Sequence, residues 1–428
     1  SDWSSDVCSS DLMNQTLYSL IGYLLLPIMV LRLIIKGLKS PAYYQRIGER
    51  LGFVDKIPVP IIWVHCVSVG EFRAAIVLID QLIQNYPEHR ILVTTTTPTG
   101  SQAVINHYQS EVLHFYFPFD LPIIVNRYIK KINPKLCILL ETEIWPNLVH
   151  ALNTNNIPAL LVNARLSQRS LEKYQKFAPN LAKQTLNKFT TVATQNQNSA
   201  NRFIELGIDT DKVTVAGNIK FDQNPSIDKD LTKKLKTIVG KQKIVVFAST
   251  HPGEESQIIN SYLKFKDDIN ALLIIIPRHP ERFKEVYKLA QKQGISITKR
   301  SQNKPCQDCQ ILLGDSMGEM MNYFDISDVV FMGGSLNNTG GHNMLEPAAL
   351  AKPILFGPNV FNFAEISSDL LKQQGAIQAQ NSDELFEKIV DLLGDEKQRK
   401  SMGRNAKKYF KSQQGAVKKL NQLIKLFI

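Results

Sequence analysis

Cysteine is scarce, at five residues in 428, and tryptophan scarcer still, at three. Five thiols in a chain this long do not make the disulfide framework of a small secreted domain, so an apolar core must carry the fold. Cys66 and Cys137 lie in apolar runs and read as core residues. Cys306 and Cys309 form a C-x-x-C in "KPCQDCQ", but no second Cys or His pair stands at zinc-ligand spacing. A reduced loop is expected there, with no metal. No G-x-x-x-x-G-K-[ST] occurs, and no strand-end glycines spell G-x-G-x-x-G, which argues against a P-loop ATPase and an ordinary dehydrogenase. Zinc fingers, RNP-like aromatic motifs and dense arginine stripes are also missing, so nucleic acid is not an expected partner.

What is present describes a globular chain: 44% apolar and 21% charged residues, with 50 Lys+Arg against 39 Asp+Glu for a formal charge of +11. That excess favours anionic partners such as nucleotides or an acidic membrane surface. Residues 1–12, "SDWSSDVCSSDL", carry no apolar periodicity and are expected to be a non-native leader before Met13. Residues 13–38 are expected to form a membrane anchor helix. Leu17 to Leu31 is uncharged and Leu33 to Ile35 extends the run beyond Arg32. About 20 apolar residues are needed to span a bilayer, so the helix is either a short span, a helix lying in the interface, or a buried N-terminal helix. Arg32, Lys36, Lys39, Arg46 and Arg50 follow the run and place the body of the protein on the cytoplasmic side.

From Ile61 onward, short apolar runs such as "IIWVHCVS", "ILVTTT" and "LCILLETE" alternate with helical patterns, which predicts parallel sheets covered by helices. A second series begins with "KVTVAGN" and continues through "KIVVFAST", "ALLIIIPR", "CQILLGD", "DVVFMGG" and "PILFGP". Two doubly wound α/β domains are expected, over 39–217 and 218–405, with a C-terminal helix over 406–428 that packs back toward the first domain. Ligands of such sheets bind beyond the carboxyl ends of strands, and the chemically informative residues cluster there.

In "HCVSVGEFRAA" a buried strand runs into Ser68, Gly70 and Glu71, where the carboxylate is either a helix-start charge or a catalytic base. "ETEIWPN" ends another strand with Glu141 and Glu143. These point the same way if the strand continues; otherwise Glu143 is a helix-start charge. Lys220 in "GNIKFD" follows the expected first strand of the second domain, at a hinge. Asp209 and Asp211 in "IDTDK" have the spacing of a metal–nucleotide site but lie at the wrong end of the sheet, and read as a turn.

In the second series Ser249, Thr250 and His251 precede "PGEESQII", where Pro252 suits the first turn of a helix whose free N–H groups can receive a phosphate. Arg278, His279 and Arg282 in "RHPERF" can neutralise a leaving phosphate. "GDSMGEM" leads into a helix that Asp315 or Ser316 can cap. "GGSLNNTGGHNMLEPAAL" opens a glycine-rich loop onto another helix, the pattern of a phosphate site.

Taken together, "SVGE", "TTTTPTGS", "ETEIWPN", "NARLSQRS", "GNIKFD", "PRHPERF", "GDSMGEM" and "GGSLNNTGGHNMLEPAA" resemble, in order, the bacterial 3-deoxy-D-manno-octulosonic acid (Kdo) transferases that act on lipid A precursors. The resemblance runs from about Tyr18 to the C-terminal helices. It implies a GT-B fold, an α/β architecture of two Rossmann-like domains facing a cleft, and inverting glycosyl transfer without metal or cofactor. The implied donor is CMP-Kdo and the implied acceptor lipid IVA, at the cytoplasmic side of the inner membrane. By the same resemblance Glu71 is the general base, while Glu141 and Lys220 stabilise the transition state. Ser249, Pro277, Arg278, Met317, Gly318, Glu319, Asn343, Met344, Leu345 and Glu346 form the CMP-binding set. "NMLEPAAL" departs from the family where other members carry Ala after the Glu, and leaves the contact residues intact. The competing readings are another GT-B-like enzyme, such as a UDP-sugar transferase or epimerase, or a non-catalytic membrane-tethered protein that binds nucleotide or lipid.

Overall fold

The computed structural model describes residues 13–223, 226–306 and 308–428; the leader expected over 1–12 lies outside the described residues. The chain divides into two compact units, Ser1–Gln223 with Gln414–Ile428, and Asn224–Gln413.

The first unit is built on seven parallel strands: β1 (Ile61–His65), β2 (Arg90–Thr95), β3 (Leu113–Tyr116), β4 (Pro134–Leu140), β5 (Ala159–Ala164), β6 (Thr191–Thr194) and β7 (Val213–Val215). They lie in the order β3-β2-β1-β4-β5-β6-β7. The side chains of β1 are buried on both faces, as helices on each side of a parallel sheet require. Strand order reverses between β1 and β4, so the segments leaving those two strands diverge and open a crevice. Those segments are "CVSVGE" and "ETEIWP".

The second unit repeats the plan with β8 (Lys243–Thr250), β9 (Ala271–Pro277), β10 (Ile297–Lys299), β11 (Ile311–Leu313), β12 (Val329–Met332), β13 (Ile354–Phe356) and β14 (Ala376–Gln378). Their order is β10-β11-β9-β8-β12-β13-β14, every pairing parallel. The two doubly wound domains expected from the alternation are thus present. In this unit the segment after β8 lies beside the one after β12, and the two backbones approach closely. A Cβ on Gly333 would stand 2.7 Å from the Ser249 carbonyl oxygen, so only glycine fits there.

Two expected boundaries shift. "KVTV" is not the first strand of the second domain: β7 pairs with β6, Val192 opposite Val213, and closes the edge of the first sheet. The turn after it, Ile219–Asp222, buries Ile219 and Phe221 in the first unit, so that unit runs to Gln223 and not to 217. At the other end, the helix expected to start at 406 is two helices. Glu396–Ser412 belongs to the second unit, where Gly403 passes too close to the Ala351 carbonyl for any side chain. Ala416–Ile424 returns to the first unit and packs Ala416, Val417, Leu420 and Ile424 among residues of β1 and β4. Asp222 holds that return, accepting the N–H groups of Gly415 and Val417 at 2.6 Å each.

The N-terminal helix Gln15–Lys39 starts at Asn14, whose side chain accepts the Leu17 N–H. Its first turns are tied to the first unit: the Tyr18 hydroxyl donates to Asp120 at 3.0 Å and the Ser19 hydroxyl to Asn147 at 2.9 Å. Asp120 also accepts the N–H groups of Asn147 and Leu148. Beyond those turns the helix leaves Leu24, Ile28, Leu31, Ile35 and Leu38 exposed, Leu24 by 70% and Leu38 by 79%. Gln15–Leu38 is long and apolar enough to cross a membrane, and 6% of its most apolar stretch is buried. The alternative of a buried N-terminal helix is therefore overturned.

Cys66 and Cys137 are buried free thiols. Cys306 and Cys309 lie together with their Cα atoms 5.1 Å apart, a separation at which two cysteines can bridge.

Candidate active site

In the first unit, β1 delivers Ser68 as the cap of the helix Val69–Asn85, its hydroxyl accepting the Glu71 N–H at 3.4 Å. Glu71 reaches back so that Oε2 accepts the Val67 N–H at 2.7 Å, a close variant of the capping box. The helix-start role is therefore realised by one carboxylate oxygen. Burial pushes the Glu71 carboxyl up to about 8, with the negative charges of Glu141 and Glu143 adding to the rise and the Val67 N–H and Lys220 opposing it. A carboxyl poised near neutrality accepts a proton far better than one titrating in its ordinary range.

The strand β4 ends at Leu140, so Glu141 and Glu143 do not share a strand face as one reading expected. Glu141 takes φ +58°, a left-handed conformation uncommon for a residue with a side chain. Strain of this kind collects at functional sites. It puts Glu141 Oε1 2.9 Å from Lys220 Nζ, with both side chains part-exposed at 22% and 31%. Lys220 is thus paired with a carboxylate of its own unit instead of standing as a solvated hinge cation. The turn that carries it is pinned by Asn218, whose side chain accepts the Lys220 N–H, and by Asn163, which accepts that of Ile219.

Glu143 is the residue that sequence reasoning left out of the site. Its Oε2 accepts the Trp145 indole N–H at 2.7 Å and lies 3.8 Å from Nε2 of the fully buried His65. Burial raises Glu143 to about 7, Trp145 opposing and Glu141 adding to the shift, while burial lowers His65 to about 3. The signal was the second Glu of "ETE" beside the His that ends β1. Asp209 precedes and Asp211 lies within a tight turn, Thr210–Lys212, before β7, as expected.

In the second unit the residues expected to bind CMP lie at or beyond the ends of four neighbouring strands. Ser249 sits near the end of β8 at φ +55°. Pro277 ends β9, and the Arg278 N–H donates to the Thr250 carbonyl at 2.9 Å while its side chain is exposed. After β11, Met317 is 65% exposed, Gly318 takes φ +82°, and Glu319 forms an ion pair with Arg300 at 3.1 Å. After β12, the Asn343 side chain accepts the Leu345 N–H and donates to Glu346 at 3.3 Å. Met344 and Leu345 are buried, which leaves their backbone as the part able to meet a ligand.

Several expectations about phosphate are corrected. The amides of the glycine-rich loop already hold an anion from the protein itself. The buried carboxylate of Glu254 accepts the N–H groups of Gly334 at 2.7 Å, Ser335 at 3.0 Å, Leu336 at 2.9 Å and His251 at 2.9 Å. Pro252 precedes the cap Gly253 and does not occupy the first turn of the helix Glu254–Phe265. Arg282 is spent in a buried pair with Glu255 at 2.6 Å and a second with Glu285 at 2.9 Å. Asp315 does not cap the following helix but accepts from Ser301, and Ser316 donates to Glu319. The groups of this segment left facing solvent are the Arg278 side chain and the His279 ring. Beside them His251 and His342 touch Nε2 to Nε2 at 2.7 Å with rings 13° from parallel.

The family model described as 3-Deoxy-D-manno-octulosonic-acid transferase (kdotransferase) matches residues 45–223, and that of Glycosyl transferases group 1 matches 230–409. The chain is 40% identical to the 3-deoxy-D-manno-octulosonic acid transferase of Haemophilus influenzae, over 92% of this chain and 93% of that protein. It is 32% identical to that of Rickettsia felis, over 91% and 86%. Among solved structures, a UDP-N-acetylglucosamine 2-epimerase described as putative, from Listeria monocytogenes, aligns with 86% of this chain and 96% of its own. Its TM-score is 0.58 at 14% identity, a likeness of fold alone.

Proposed function

The chain belongs to the 3-deoxy-D-manno-octulosonic acid (Kdo) transferase family, and from that premise we propose that it transfers Kdo from CMP-Kdo to lipid IVA, releasing CMP. The observation that carries the mechanism is the first-unit cluster in which Glu71, raised to about 8, stands near the Glu141–Lys220 ion pair. Glu71 takes the proton of the acceptor hydroxyl as it attacks the anomeric carbon of Kdo. A sugar hydroxyl is a poor nucleophile near neutral pH, and general-base assistance contributes on the order of 10²- to 10⁴-fold. The bond from that carbon to the phosphate oxygen breaks as the new bond forms, which gives inversion.

Positive charge develops at the anomeric carbon and negative charge on the departing phosphate. Glu141 is assigned to offset the first, and the cations assigned to the second are Lys220 from the first unit and Arg278 from the second. Neutralisation by these side chains removes the need for a divalent ion. On this reading the second unit holds CMP through the exposed Arg278, the loop Met317–Glu319 and the turn Asn343–Glu346. The apolar helix Gln15–Leu38 and the +11 charge suit an anionic acceptor embedded in lipid at the cytoplasmic side of the inner membrane.

Mass spectrometry of lipid IVA incubated with the protein and CMP-Kdo tests this directly. A mass increase by one or more Kdo units, with equimolar CMP, is expected; unchanged lipid would overturn the proposal. Binding of CMP but not UDP separates it from a UDP-sugar enzyme on the same fold.

A further inference from the structure

We propose that His251 and His342 form a proton-sharing pair that takes up one proton as CMP is formed, balancing the charge of the departing phosphate. The inference rests on the reading of the second unit as the CMP side of a Kdo transferase.

The pair occupies the switch point of the second sheet. His251 follows β8 and His342 lies in the loop after β12, the two strands between which the order reverses. That crevice is where doubly wound sheets take their ligands. Two imidazole nitrogens 2.7 Å apart need one proton between them: one Nε2 donates and the other accepts, so a neutral pair holds opposite tautomers. The contact is backed on both sides. A Cβ on Gly334 would stand 3.1 Å from the His342 ring, and the Glu254 carboxylate fixes the His251 N–H.

The groups whose charge acts on the pair come from the segment after β9 and from the helix after β8. From the segment after β9 come Arg278, Arg282 and the His279 ring, whose centroid lies 5.4 Å from that of His251. Arg282 is neutralised by Glu255 and Glu285, and Glu281 Oε1 stands 3.9 Å from His279 Nδ1. From the helix after β8 comes Glu254, already engaged by four amides. Burial and these cations lower His342 to about 4 and lower His251 as well. The pair is therefore neutral near pH 7, and an arriving anion is what would charge it.

The reaction supplies that anion. When the bond between the Kdo anomeric carbon and the phosphate oxygen breaks, the electron pair stays on the oxygen. CMP then carries one more negative charge than its phosphate bore within the donor. The acceptor proton goes to Glu71. The pair draws its proton from water, becomes a singly charged imidazole–imidazolium unit, and returns the proton when CMP departs. One added proton, on Nδ1 of the ring that donates through Nε2, answers one added charge.

Isothermal titration calorimetry of the detergent-solubilised full chain with CMP tests this. It is run at about pH 7.5, above the second phosphate pKa of about 6, in PIPES, HEPES and Tris. The slope of binding enthalpy against buffer ionisation enthalpy should report about one proton taken up per CMP. In His342→Gln and His251→Gln the slope should fall to near zero and affinity drop roughly tenfold, with unchanged thermal melting. A flat slope in the parent chain, or an undiminished slope in both variants, overturns the inference while leaving the donor reading intact. Failure of the parent chain to bind CMP overturns both.

Discussion

The two units share a strand plan and differ in what they place beyond their strand ends. In the first, the segments after β1 and β4 bring carboxyls together, and burial holds Glu71 near 8 and Glu143 near 7, so the cluster keeps protons at neutral pH. In the second, the corresponding segments after β8 and β12 carry histidines, with Arg278 alongside. Its buried carboxylates, Glu254 and Glu255, are consumed by backbone amides and by Arg282. One topology thus serves two opposite tasks. A group that must exchange a proton is desolvated with few partners, whereas a group that must hold a loop in shape is desolvated with a full set of them.

That contrast can be broken most sharply at Glu71. Glu71→Gln is expected to lower kcat by on the order of 10²- to 10⁴-fold and to leave CMP affinity, measured by calorimetry, unchanged. Near-normal turnover would remove the base from the first unit. The same loss of charge at Glu254 should do the reverse. Glu254→Gln turns an amide NH₂ toward backbone donors and is expected to cost about 3 kcal/mol, read as a shifted denaturation midpoint together with weakened CMP binding.

The pH profile sharpens the difference. Glu71 must be ionised to act and its folded-state value lies above the ordinary carboxyl range, so kcat/KM should fall about tenfold per pH unit below about 8. The folded state also binds this proton more tightly than the unfolded chain does. Stability linked to Glu71 is thus fully present below about pH 4.5 and is lost as pH rises through about 8. Glu71→Gln should flatten that slope, as denaturation midpoints across the window will show. Smaller still, Tyr18→Phe removes one hydrogen bond to Asp120 and should cost about 1 kcal/mol, lowering activity on lipid vesicles more than on detergent-dispersed acceptor. The smallest expected effect is none: EDTA should leave the transfer rate unchanged, and a loss restored by magnesium would overturn the metal-free mechanism.

Much of this arrangement was legible beforehand because parallel strands buried on both faces read as continuous apolar runs, and their ends as abrupt turns to Gly, Ser and charge. Glu71 and Glu141 stood out for that reason, whereas Lys220 was marked by the family resemblance. What escaped was long-range pairing. "VTV" carries no mark telling whether it completes one sheet or begins the next, and only its register with β6 decides. Nor does a helical pattern running from 396 to 424 announce that Gly415, at φ +109°, turns the chain between units. The Glu254 carboxylate filling the glycine-rich loop was hidden for a similar reason, since eighty residues separate it from Gly334. Glycine spacing alone suggests an empty cradle.

The return of Ala416–Ile424 to the first core has a bearing on biosynthesis. Val64, Leu78 and Ile138 share a cluster with Leu420 and Ile424, yet some two hundred residues of the second unit are made between them. Domains generally fold in the order in which they leave the ribosome, but here the earlier one waits for a segment translated after its successor. Until then the part of this cluster that Ala416, Val417, Leu420 and Ile424 cover stays open while the second unit is made. A chaperone or the membrane surface itself is most needed during that interval, and stop codons placed shortly before residue 414 should yield aggregation and not a smaller, soluble protein.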